Sequence, residues 1–90
     1  MADEQQGGGL KPVAPARVAE EVRRLSARRK DGELAPDEYE HRFSRMISEL
    51  RDRSIDGNRA EIMAALEPLR LEGVVSDADW RRLIQQLGLA

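Results

Sequence analysis

Residues 22–47 read VRRLSARRKDGELAPDEYEHRFSRMI. The stretch holds the end of one amphipathic helix, a stop, and the start of a second. Val18, Val22 and Leu25 recur at i, i+4, i+7 with Ala19 alongside, an apolar stripe on the helical period. Arg17, Glu20, Arg24 and Arg28 take the opposite face. Pro15 suits the first turn of this helix, and Arg28, Arg29 and Lys30 suit its last turn, where the helix dipole favours cations. Gly32 then supplies the residue that can take positive φ just past a helix end. The second helix opens at Pro36, with Asp37 and Glu38 in its first turn. Tyr39, Phe43, Met46, Ile47 and Leu50 give it the clearest apolar stripe in the chain, and it ends within Arg51–Ser54. The stretch therefore predicts an αα-hairpin.

The same logic extends downstream. Asp56-Gly57-Asn58 is a turn cluster, and Asn58 or Asp56 caps a third helix with Ile62, Met63, Leu66 and Leu69 on its apolar face. Pro68 cannot donate to the carbonyl of Ala64, which predicts a kink or an early end. Gly73 closes the segment. Ser76, with Asp79 three residues later, marks the start of a fourth helix striped by Trp80, Leu83, Ile84 and Leu87. Gly88 is its C-terminal cap, with Leu89 placed to fold back on the last turn.

The two halves align at an offset of 41 residues. Leu25, Arg29 and Gly32 match Leu66, Arg70 and Gly73. Leu34 matches Val75, Glu38-Tyr39 matches Asp79-Trp80, Phe43 matches Ile84, and Met46 matches Leu87. The pattern fits either a duplication or two hairpins that share the same glycine turn chemistry. Upstream, residues 1–14 (MADEQQGGGLKPVA) show no apolar period and predict a disordered tail. The expected organisation is thus all-α: a tail over 1–14, a first helical hairpin over 15–54, and a second over 55–90 packed on the first as one domain.

Composition narrows the function. The chain has 90 residues, no Cys and a single His, which removes disulfides, thiolate metal sites and cysteine nucleophiles. Fifteen Lys and Arg against seventeen Asp and Glu leave a net charge of −2, unlike the basic excess of a generic nucleic-acid binder. No apolar run is long enough for a membrane span, and no signal pattern opens the chain. The expected setting is cytoplasmic, with no membrane partner. Arg outnumbers Lys by thirteen to two, a compositional hint of a GC-rich genome.

The first hairpin resembles the SHOCT (short C-terminal) domain. The residues that carry the likeness are Leu25, Gly32, Leu34, Ala35, Asp37-Glu38-Tyr39 and Phe43. The stretch also looks like a related short domain of actinobacterial membrane-associated proteins, through Glu40 to Phe43. The second unit, IMAALEPLRLEGVVSDADWRRLI, is more weakly similar to the helical repeats of RecX-type regulators. The SHOCT-like resemblance implies an interaction or oligomerisation module with no catalytic residues. It departs in one respect: SHOCT units usually sit alone at the end of a larger protein, whereas two hairpins follow each other here.

Few residues carry chemistry. Arg23, Arg24, Arg28, Arg29 and Lys30 form a basic cluster at the end of the first helix, which could contact phosphates or pair with Glu20, Glu21 and Asp31 as a solvated face. His41 has Ser44 at surface-neighbour spacing but no third group to orient it, so it reads as an exposed histidine. Glu72, Asp77 and Asp79 outline an EF-hand, but their loop is too short and lacks its alternating oxygens; no metal and no cofactor is expected. Tyr39 and Trp80 plug their own hairpins or anchor an interface. The stripe of the second helix outnumbers what the first can cover, which predicts surplus apolar surface. Tyr39, Phe43, Ile47, Leu50 and Trp80 are accordingly the expected partner-binding residues, with a protein of unidentified kind or a second copy in a homodimer as partner. The reading is a non-enzymatic protein–protein interaction or oligomerisation module, a small bacterial regulator or adaptor. The alternative is a nucleic-acid-associated regulator using the basic cluster.

Overall fold

A computed structural model describes residues 11–90. Four helices form two αα-hairpins: α1 (Pro15–Lys30), α2 (Pro36–Arg53), α3 (Arg59–Leu71) and α4 (Asp77–Gln86). Each boundary has a local cause. Pro15 and Pro36 stand in the first turns of α1 and α2. The Glu38 carboxylate accepts from the Ala35 N–H at 2.9 Å, half of a capping box. α3 carries the full reciprocal box: Asn58 Oδ1 accepts from the Glu61 N–H and Glu61 Oε1 from the Asn58 N–H, each at 2.8 Å. Ser76 Oγ accepts from the Asp79 N–H at 3.1 Å and opens α4.

The two hairpin turns are one structure used twice. Gly32 N–H donates to Arg29 O at 3.1 Å and Glu33 N–H to Arg28 O at 2.9 Å. At the 41-residue offset, Gly73 N–H donates to Arg70 O at 3.1 Å and Val74 N–H to Leu69 O at 2.8 Å. Both are Schellman motifs, and they require the left-handed backbone seen at Gly32 (φ 83°) and Gly73 (φ 73°). Two residues on, Leu34 and Val75 are both buried. Arg29 lies over the Tyr39 ring at 4.5 Å and Arg70 over the Trp80 ring at 5.8 Å, so the cation–π contact recurs at the same offset.

α1 lies most extensively against α3 and also against α2, while α4 lies on α2. The shared core draws on every helix: Val18 and Val22, Tyr39, Phe43, Ile47 and Leu50, Ile62, Leu66 and Leu69, Leu83 and Ile84. Ser26 is buried between α1 and the second turn, where its hydroxyl donates to Val74 O at 2.9 Å.

Three expectations change. Order does not begin at Pro15: Val13 is buried, its N–H donates to Ser54 O at 3.0 Å, and its carbonyl accepts from the Asp56 N–H at 2.8 Å. Residues 11–14 are therefore a strap docked on the α2–α3 loop, whereas the rest of the expected tail, residues 1–10, lies outside the described residues. Pro68 does not end α3, which continues to Leu71. Pro68 has no N–H to give Ala64 O, but its own carbonyl accepts from the Glu72 N–H at 2.8 Å as the helix closes. The α2 stripe is largely covered as well, by α4 and α1 from two sides, with only Met46 of its five residues half-buried.

Candidate functional site

The expected partner-binding residues do not form a surface. Phe43 is 0 % exposed, Ile47 1 %, Tyr39 2 % and Leu50 6 %, all within one chain. The sequence shows that α2 has a broad stripe but not that α4 arrives to cover it. Trp80 alone is half-buried, with Arg70 over its ring. Most of the apolar stripe that favoured a homodimer is thereby part of the intramolecular core.

Where α4 meets α2, polar groups join the hairpins. Arg82 places its guanidinium over the Phe43 ring at 4.8 Å and donates to Glu40 Oε1 at 2.8 Å, with Asp79 Oδ1 at 3.8 Å. Its Nε and Nη2 are buried without a hydrogen-bond partner among the described residues, so the ring face and Asp79 supply their compensation. The Tyr39 hydroxyl reaches Asp79 Oδ2 at 3.5 Å. Burial, and then the Asp79 charge, pushes the Tyr39 phenol above its usual range, so it stays neutral. The cluster reads as a packing joint. Glu72, Asp77 and Asp79 do not converge either, since Glu72 is held by Arg23 across the α1–α3 face. No group of three potential metal ligands gathers among the described residues.

The basic cluster at the end of α1 is dispersed by its own partners. Arg23 forms a two-pronged pair with Glu72 at 2.8 and 3.3 Å. This pair holds the exposed Glu72 carboxyl below the usual carboxylate range. Arg24 pairs with Glu21 at 3.0 Å and Arg28 with Glu33 at 3.1 Å. Arg29 stacks on Tyr39, and Lys30 is exposed. Three of the five cations thus face a carboxylate, which leaves little field for a phosphate backbone.

One concave feature is a groove that sequence reasoning missed. It runs between α1 and α2, is closed at one end by the Pro12–Ala14 strap, and encloses about 610 Å³. Half-buried Leu25 and Met46 form its floor with Val18 and Leu50 beneath. Arg17 stands on the α1 rim, and Arg42, Arg45 and Arg53 line the α2 side with Glu49. Arg53 also clamps the strap, its Nε donating to Lys11 O at 3.0 Å. One signal was present in the sequence: Arg42, Arg45, Glu49 and Arg53 recur at i, i+3, i+7, i+11, bordering the apolar stripe of α2. His41 lies outside this groove, on a shallow outer depression of α2 with Ser44, Ser48 and Asp52.

Comparison of the chain with protein-family models, with curated proteins and with solved structures finds no match in any of the three. No helix among the described residues is long and apolar enough to cross a membrane.

Proposed function

We propose that this chain is a non-enzymatic protein–protein interaction module, a small bacterial regulator or adaptor working in the cytoplasm. The observation that supports this reading is the α1–α2 groove, an apolar floor of Leu25 and Met46 inside a charged, arginine-bearing rim. Methionine and arginine are enriched in protein interfaces, and methionine adapts its shape to what it meets. The SHOCT-like residues of the first hairpin point to the same class. Of the residues first expected, only Leu50 borders this groove, from beneath; Tyr39, Phe43 and Ile47 build the core instead.

Affinity capture with the full chain from its native cells, followed by titration calorimetry with the recovered protein in purified form, tests the reading. It predicts a stoichiometric complex with a Kd of about 1 μM or tighter, in the range that small specific interfaces reach. Failure of every recovered protein to rebind in purified form would contradict it.

A further inference from the structure

The groove also indicates the kind of segment it takes, an inference that rests on the interaction reading above. The chain as a whole is slightly acidic, with a net charge of −2. Its fold nevertheless brings Arg17, Arg42, Arg45 and Arg53 around one apolar floor, against Glu21 and Glu49. Glu21 is engaged by Arg24 at 3.0 Å. The local field at the groove is therefore positive, and it is made by the packing of α1 on α2 rather than by composition. Guanidinium forks match carboxylates in a planar, two-pronged geometry that ammonium groups do not offer. A volume of about 610 Å³ suits a short peptide segment rather than a globular face. No aromatic ring lines the groove on which a base could stack.

We propose that the groove docks an acidic segment of a partner protein, its carboxylates on Arg17, Arg42 and Arg45 and one apolar side chain on Leu25 and Met46. Glu49 stands on the rim and is exposed, so a photo-crosslinker there reports the occupant without disturbing the core. The experiment places p-benzoylphenylalanine at Glu49 of the full chain, irradiates native cells, and sequences the adduct. The expected adduct is a peptide of net negative charge with at least one apolar residue. Arg42→Glu with Arg45→Glu should lower its yield about fivefold or more, since like charges now face each other, while the helical circular dichroism is unchanged. An adduct with nucleic acid, with a second copy of this chain, with residues 1–10 of the same chain, or with a peptide lacking acidic charge would overturn the proposal. An unchanged yield in the double variant would do the same. The capture experiment separates this from the broader reading: a partner that binds the double variant as tightly as the parent removes the groove assignment and leaves the interaction module standing.

Discussion

The two hairpins begin alike and end differently. Their turns share one hydrogen-bond pattern, a left-handed glycine, a buried aliphatic residue and an arginine over an aromatic ring. Away from the turns the likeness stops. α4 ends at Gln86, the chain reverses at Gly88, and Leu89 enters the core. There Arg59, at the start of α3, donates to Leu89 O at 2.7 Å and ties the far end of the second hairpin shut. α2 instead continues as helix to Arg53, and its far end is tied by the Val13 strap. Matched positions also differ in what covers them, since α3 lies against α1. Leu66 is 0 % exposed, whereas Leu25 is half-buried and floors the groove. A glycine turn thus fixes how two helices leave each other. Whether a helix face is filled depends on what packs on it: α1 lies on α3, whereas the Leu25 side of the first hairpin borders an open groove.

The part of α2 beyond Met46 has no helical counterpart in the second hairpin, and it should show the largest effect. Ile47→Glu places a charge where the side chain is 1 % exposed. It is expected to unfold the protein, since an unpaired buried charge costs several kcal/mol, comparable with the whole stability of a small domain. Circular dichroism with sedimentation equilibrium checks this. A folded monomeric variant of a dimeric parent would return Ile47 to an interface between copies.

The next effect measures the asymmetry itself. Leu66→Ala should cost about 2–5 kcal/mol by leaving a cavity. Leu25→Ala should cost about 1 kcal/mol, because the half-exposed side chain loses less on truncation. Equal losses in denaturant titrations would break the distinction between a filled and an open hairpin. The turns should behave in the opposite way. Gly32→Ala and Gly73→Ala should each destabilise by about 1 kcal/mol and by matching amounts. An added Cβ meets nothing within 4 Å at either site, so the cost is conformational alone. Unequal losses would show that the turns are not equivalent. The smallest effect is a gain. Ser54 ends α2 with φ 72° and ψ 159°, a region that suits glycine. Ser54→Gly should stabilise by about 1 kcal/mol, offset in part by the freer unfolded chain, and thermal melting would read it.

Much of this fold is legible in the sequence because its signals are local. Periodic stripes, Gly32, Gly73, Ser76 and the Pro15 and Pro36 starts mark helices within a residue or two of their observed ends. Val13 is not legible, since one apolar residue in an aperiodic stretch has no pattern, and its burial depends on a loop more than forty residues away. Ser26 is missed for the same reason: its partner is the Val74 carbonyl of the other hairpin. The candidate site was misread at Tyr39, Phe43, Ile47 and Leu50 because a stripe shows that a face is covered but not by what. α4 covers it here. The basic cluster is legible in part: Glu21 pairs with Arg24 as their spacing allows, but charge along one helix does not show Glu72, which only the packing of α1 on α3 brings to Arg23.

The difference between the hairpins can be measured without perturbing either one. Leucine methyl groups can be observed by NMR while a neutral gadolinium chelate is added to the full chain. The account predicts strong paramagnetic broadening of the Leu25 methyls and little at Leu66, its match across the 41-residue offset. Equal protection of both leucines would mean that the first hairpin is closed as the second is, and that the groove does not exist in solution.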